Sequence, residues 1–193
     1  YIHDAPHQGI GYGGNDHVIE YCKFTRIAQE TGDVGVIYSA MDWTYMGLVF
    51  RYNYFHRIHG PGNLGCFTVY PDLPCGGIHL LGNVFYDVDQ GFLTNSGRAM
   101  DIDNNVFLRC PRAFRFNVWG DMKMFKPGAS WQMPERLGWV KYDQPPYSTR
   151  YPALVRLAED FAKGDAVGDQ VDRATGAYDE LRHRLTAWGA ASG

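Results

Sequence analysis

The sequence predicts an all-β chain folded as a right-handed parallel β-helix, with an irregular aromatic arm and short helices at its C-terminal end. An internal repeat, two residue types that recur in register through it, and paired short β-like runs in each unit predict that class. GVIYSAMDWTYMGLVFRYNYFHRI, from Gly35 to Ile58, lies without a gap over GCFTVYPDLPCGGIHLLGNVFYDV, from Gly65 to Val88. The overlay matches Gly35 with Gly65, Asp42 with Asp72, Gly47 with Gly77, Asn53 with Asn83 and Phe55 with Phe85. Self-similarity at about 20 to 50 residues marks a solenoid, whose units cannot bury an apolar face alone and must stack on their neighbours.

Aligned on phenylalanine, HVIEYCKFTRI at 17–27, LVFRYNYFHRI at 48–58, IHLLGNVFYDV at 78–88 and MDIDNNVFLRC at 100–110 bring Phe24, Phe55, Phe85 and Phe107 into register. The spacings are 31, 30 and 22 residues. Alternation in IEYCKF, VFRYNYF and HLLGNVF puts every second side chain on one face, as a half-buried strand requires. Further short runs, GIGYGG, GVIYSA, GCFTVY, GFLTNSG and AFRFNVW, fall between these. Rungs of 22 to 31 residues fit three short strands with their turns, wound once per coil at about 4.8 Å between rungs. Equivalent residues then stack: Phe24, Phe55, Phe85 and Phe107 inside the coil, and Asn53, Asn83 and Asn105, with Cys22 in the same place, as an asparagine ladder at a bend.

The pattern stops after Gly120, so residues 1–120 read as the solenoid and 121–193 as an arm and helices packed against it. Pro127, Pro134, Pro145 and Pro146 among Trp131, Trp139, Tyr142 and Tyr147 predict an irregular aromatic arm over 121–150. YPALVRLAEDFAK at 151–163 has Pro152 at a helix start and Leu154, Leu157, Ala158 and Phe161 at helical spacing. GAYDELRHRLTAWGA repeats that spacing with Tyr178, Leu181, Leu185 and Trp188. The chain opens on Tyr1 close to a repeat-like run, so N-terminal rungs or a cap of a parent chain are expected to precede it.

Twenty-three glycines with only 20% charged residues favour a turn-rich β architecture, and 45% hydrophobic residues are ample for a core. A net charge of −3 offers no basic footprint for nucleic acid, and no run approaches the roughly 18 apolar residues of a membrane-spanning helix. Cys22, Cys66, Cys75 and Cys110 lack CxxC spacing, which argues against a zinc ribbon or a thioredoxin-like site. Cys22 and Cys110 occupy core positions of the repeat and read as small apolar groups.

The run from ETGDVGVIYSAMDWTYMG through FRYNYFHRIHG to LLGNVFYDVDQGFLTNSGR and DNNVFLRCPRAF resembles the right-handed parallel β-helix of secreted carbohydrate-active enzymes. It is most like family 141 glycoside hydrolases and their relatives, over roughly residues 1–120. That resemblance implies a secreted or periplasmic protein acting on a plant or algal polysaccharide. It further implies catalytic carboxylates within DVGVIY and VYPDLP, which supply Asp33 and Asp72. The second segment departs from the family pattern, with Leu73 in place of a second Asp and Cys75-Gly76 in place of Ser-Gly.

The spacing makes a separate case for Asp42. Asp42 and Asp72 each lie thirteen residues before the ladder phenylalanine of their rung, so a regular coil would stack them one rung, about 5 Å, apart. Retaining glycosidases hold an acid/base and a nucleophile at about that separation. The competing reading has the two aspartates capping equivalent turns. A calcium site from Asp33, Asp42 and Asp72 is a further alternative, though compact DxDxD spacing is absent.

Tyr38, Trp43 and Tyr45 flank these acids and are expected to line a sugar-binding groove, where aromatic rings stack on the apolar faces of sugars. His56 and His59, in HRIH, lack zinc-ligand spacing and are candidates for holding substrate or assisting proton transfer. Arg98, in NSGR, is a candidate for a uronate carboxylate or a sugar hydroxyl. The expected activity is glycoside hydrolysis without a cofactor. A polysaccharide lyase or uronate epimerase, with His56 or Tyr38 as base, and a non-catalytic glycan-binding solenoid are the rivals.

Overall fold

The computed structural model describes residues 1–73, 75–117 and 128–162. Its strands repeat in threes. The first rung comprises β1 (Ile2–Ala5), β2 (Ile10–Gly11) and β3 (Val18–Glu20), and the second β4 (Lys23–Ile27), β5 (Val34–Ala40) and β6 (Leu48–Arg51). The third comprises β7 (Tyr54–Ile58), β8 (Cys66–Asp72) and β9 (Ile78–Leu81), and the fourth β10 (Val84–Val88), β11 (Gln90–Asn95) and β12 (Asp101–Asp103). A last partial rung has β13 (Val106–Leu108) and β14 (Arg112–Asn117).

Every third strand pairs in parallel, giving a first sheet β1-β4-β7-β10-β13, a second sheet β14-β11-β8-β5-β2 and a third sheet β12-β9-β6-β3. The chain is a parallel β-helix. Its core is the space enclosed by the three sheets, filled by Phe24, Ile37, Phe50, Phe55, Val69, Leu80, Phe85 and Phe92, each at most 1% exposed.

The predicted ladders are present. Phe24, Phe55, Phe85 and Phe107 stack with ring centroids 5.0, 4.9 and 4.5 Å apart. At the bend from the third sheet back to the first, Asn53 Nδ2 and its backbone N–H both donate to Asn83 Oδ1, and Asn83 does the same to Asn105 Oδ1. Asn53 Oδ1 accepts from the N–H of Cys22, so the cysteine rung still feeds the ladder through its backbone. Tyr21, Tyr52 and Asn104 hold positive φ just before the ladder position, at 53°, 56° and 54°, and Gly82 does so at 63°. The ladder hydrogen bonds hold three side-chain-bearing residues in a region that glycine occupies most readily.

A second column of positive φ, at Arg26, Arg57, Asp87 and Arg109, interrupts the alternation of the first sheet. Phe24 points in, Thr25 out, Arg26 turns, and Ile27 points in again. Ile27, Ile58 and Val88, which follow the turning residue in three successive rungs, are all fully buried. The corner into the second sheet is built this way.

Two expectations are corrected. The overlay that set Asp42 against Asp72 does not hold in the second sheet, where Ala40 pairs with Asp72 and Gly35 with Phe67. The thirty-residue offset holds for Phe55 with Phe85 in the first sheet and Leu48 with Ile78 in the third. From the second rung to the third the offset is 31 residues in the first sheet, 32 in the second and 30 in the third, because 59–65 is one residue longer than 28–33 and 73–77 two residues shorter than 41–47.

The arm is also less irregular than predicted, because α1 (Met133–Trp139) and α2 (Tyr147–Arg150) precede the expected helix, here α3 (Pro152–Ala162). Pro134 lies in the first turn of α1, where its missing N–H does no harm. Leu137, Tyr151, Leu154 and Ala158 pack on Met46 of the β5–β6 loop, with Trp43 against them. Tyr151 Oη donates to Asp16 Oδ2 at 2.5 Å, and Arg150 pairs with the same oxygen at 2.8 Å, which fastens the arm to the first rung. The second predicted helix, around 176–190, lies outside the described residues. Among the described residues no helix is long and apolar enough to cross a membrane.

Candidate functional site

The outer face of the second sheet gathers the polar chemistry. Ile37 and Val69 pair and point into the core, so the residues after them, Tyr38 and Tyr70, pair on the opposite face. Two positions further on, the same face carries Ala40 beside Asp72, and Asn95 beside Asn117 on the following rungs. Tyr38 and Tyr70 meet edge to face at 5.3 Å.

Asp72 is held on both oxygens: Tyr38 Oη donates to Oδ2 at 3.2 Å and Asn95 Nδ2 donates to Oδ1 at 2.6 Å. Asn117 Nδ2 donates to Asn95 Oδ1 at 2.7 Å and so fixes the orientation of the Asn95 amide. Tyr70 Oη donates to Asp33 Oδ1 at 3.4 Å and accepts from Asn95 Nδ2 at 3.3 Å. The chain Asp33–Tyr70–Asn95–Asp72 therefore links an exposed carboxylate to a half-buried one through a phenol and an amide. Asp33 sits just before β5 at φ 53°, with its N–H donating to Gly65 O at 2.8 Å, so its backbone is fixed by the next rung.

Burial, and then the charge of Asp72, pushes the Tyr38 phenol well above its ordinary range. Burial, and then Asp72 and Asp33, does the same to Tyr70. Both phenols are therefore proton donors at neutral pH and poor bases.

Asp42 is elsewhere, in the β5–β6 loop. Its Oδ1 accepts from the N–H and hydroxyl of Thr44 at 2.9 and 2.7 Å, and its Oδ2 meets Arg136 Nη1 at 2.7 Å. That is a turn cap joined to α1, and it leaves Asp42 outside the Asp72 network. Trp43 packs against the helical arm, and Tyr45 against the core. Burial, then Asp42, raises the Tyr45 phenol.

His56 lies on the first sheet, paired with Tyr86 and stacked on it at 5.2 Å, and so does not share the face of Asp72. His59, just after β7, meets Asp89 Oδ1 at 2.8 Å and Asp87 Oδ2 at 3.7 Å. Arg98 lies in the β11–β12 loop, where its carbonyl accepts from the N–H of Gly77 at 3.0 Å. The structure thus brings Asp33, Tyr38 and Asp72 together and places Trp43, Tyr45, His56, His59 and Arg98 around other contacts.

Sequence reasoning missed Asn95 and Asn117. Their signal was a recurrence at 22 residues, the spacing of Phe85 and Phe107. Among the described residues no three His, Cys, Asp or Glu side chains gather as metal ligands, and Asp42 is turned away from Asp33 and Asp72 to Arg136. Comparison with protein-family models, with curated proteins and with solved structures finds no match to this chain.

Proposed function

We propose that the outer face of the second sheet is the site of a glycoside hydrolase, similar to the family 141 enzymes, acting outside the cytoplasm on a complex plant or algal polysaccharide. The observation that carries this is the carboxylate pair joined through Tyr70 and Asn95: Asp33 accepts from the Tyr70 hydroxyl, and Asn95 Nδ2 donates both to that hydroxyl oxygen and to Asp72. The bridging contacts of 3.4, 3.3 and 2.6 Å keep the two carboxylates within about the 9 Å that inverting enzymes use, retaining enzymes holding theirs at about 5 Å. Asp72, accepting from Tyr38 and Asn95, is oriented as the nucleophile or base. Asp33, the exposed member of the pair, is assigned the acid role at the glycosidic oxygen. Bond cleavage at the anomeric carbon, with water as final acceptor, then needs no cofactor.

Elimination and epimerisation are less well supported. Their candidate bases were Tyr38, whose phenol is raised, and His56, which stands on another sheet. The test is a timed digest of pectic, xylan and algal polysaccharides, following reducing ends and the absorbance of unsaturated uronates together, with wild type, Asp72→Asn and Asp33→Asn. Reducing ends that rise without absorbance, and vanish in both variants, would support hydrolysis. Rising absorbance would move the reading to a lyase. Full activity in Asp72→Asn would remove the carboxylate pair, and no turnover by wild type would leave a binding solenoid.

A further inference from the structure

The first sheet has a second chemical surface that the carboxylate site does not use. Its inner face is the phenylalanine stack, and its outer face carries a run of rings with a cation at each end. Tyr54 and His56 stack at 5.6 Å along β7, and His56 stacks on Tyr86 of the next rung at 5.2 Å. Lys23 Nζ stands 5.9 Å from the Tyr54 ring centre, one rung before it. At the other end the Arg109 guanidinium stands 5.7 Å from the Tyr86 ring centre. The parallel register makes this a track: Lys23 pairs with Tyr54 and His56 with Tyr86, each pair one rung of about 4.8 Å apart, and the step from Tyr54 to His56 runs along β7.

We infer that this face of the first sheet is a binding track for an acidic polysaccharide, lying across the rungs from Lys23 to Arg109. Rings stacked on one another turn their electropositive edges outward, which suits an anionic chain, and the cations beside them answer carboxylates or sulfates. The charge balance supports an acidic occupant. Among the described residues Asp4 is engaged by Arg26 and His3, and Asp87 shares His59 with Asp89, whereas Lys23, Arg57 and Arg109 form no ion pair and outnumber the acids of this sheet. Burial, then the neighbouring Arg57, lowers the His56 pKa, so the ring is a neutral stacking surface at pH 7. A row of half-buried rings that runs across successive rungs suits an extended chain better than a small molecule. The choice of a glycan rests on the proposed function, but the track shares no residue with the carboxylate site.

The experiment is native affinity electrophoresis in gels containing polygalacturonate or, separately, neutral arabinoxylan. It uses wild type, Tyr86→Ala with Arg109→Ala, the conservative Tyr86→Phe with Arg109→Lys, and Asp72→Asn, all checked by circular dichroism. Polygalacturonate should retard wild type and Asp72→Asn alike, arabinoxylan much less, and the alanine pair should bind polygalacturonate about tenfold more weakly. The conservative pair should keep most of the affinity, which separates contact loss from misfolding. Equal retardation of the alanine pair and wild type would overturn the inference, and so would equal retardation by both polymers. Stronger competition by a single-stranded oligonucleotide than by polygalacturonate, or self-association through this face in place of retardation, would assign it to another occupant and overturn it also. Binding loss in the alanine pair without glycan turnover by wild type would keep the track and remove the hydrolase. Turnover abolished by Asp72→Asn, with unchanged binding in the alanine pair, would do the reverse.

Discussion

Asn95 Nδ2 lies 2.6 Å from Asp72 Oδ1, and that amide is held in turn by Asn117. Asn95 is 3% exposed, so the carboxylate is oriented by a donor that water cannot readily replace. Asn95→Leu should remove a charge-assisted hydrogen bond and strand the Asn117 amide, lowering stability by about 1.5–3 kcal/mol. If Asp72 acts in catalysis, turnover in Asn95→Leu should fall while the folded fraction at assay temperature stays high. A variant that loses stability but keeps wild-type turnover would detach Asn95 from the chemistry.

The asparagine ladder should be strongest in the middle. Asn83 is fully buried, accepts from Asn53 twice, and donates to Asn105 and to Phe50 O. Asn83→Ala leaves several buried polar groups without partners and should cost on the order of 3 kcal/mol. Asn105→Ala, on a half-buried residue near the end of the described solenoid, should cost less. Urea midpoints at unchanged m-value measure the difference.

Asp42 should prove a stability residue. Asp42→Ala removes the cap on Thr44 and leaves Arg136 without its carboxylate, at a cost of about 2–4 kcal/mol. Arg136→Met keeps the cap and should cost less. Glycan turnover of folded Asp42→Ala, measured well below its melting temperature, should match wild type; a specific loss of turnover there would return Asp42 to the catalytic list.

His59 gives stability a pH dependence. Burial alone would lower its pKa, but Asp89 and Asp87 outweigh burial and raise it above 6.5. A raised folded-state pKa contributes stability that is fully present below 6.5 and is lost as pH rises through the folded value. The side chain is half exposed, so screening limits the effect to a few tenths of a kcal/mol. Denaturation of wild type against His59→Gln, from about pH 5.5 to about pH 8.5, should show that part of the slope disappear in the variant.

Burial pushes the thiols of Cys66 and Cys75 up to about 12. Neither should be alkylated in the native state near pH 8, since the thiolate is the nucleophile. Both should react once denaturant unfolds the coil, and fast native labelling of either, read by mass spectrometry, would contradict the packing.

The ladders were legible because each repeats one residue type at one place per rung, where steric fit inside the coil or at a bend admits little else. Phe24 to Phe107 and Asn53 to Asn105 could therefore be aligned by eye, and their register follows. The second sheet was not legible in the same way. Asp72 falls beside Ala40 because the loop into the second sheet is one residue longer in its rung and the loop out of it two residues shorter, and no local propensity records which loop absorbs a residue. Asp72 follows from resemblance and from its spacing in the repeat, and Tyr38 from its place beside the acids. The amides that hold Asp72 come from Asn95 and, behind it, Asn117, and sequence distance gave them no link to Asp72 until the rungs were stacked.

The sequence by itself determined the architecture: parallel coils, their ladders and their rung lengths, because periodic burial and side-chain stacking act on each rung alike. Only the tertiary structure decided which carboxylates share a face. It sent Asp42 to Arg136, ninety-four residues away, and set Tyr38 on Asp72. The physical reason is that hydrogen bonds between side chains depend on ångström-scale register, and register is set by loop lengths and packing summed over whole turns of the solenoid.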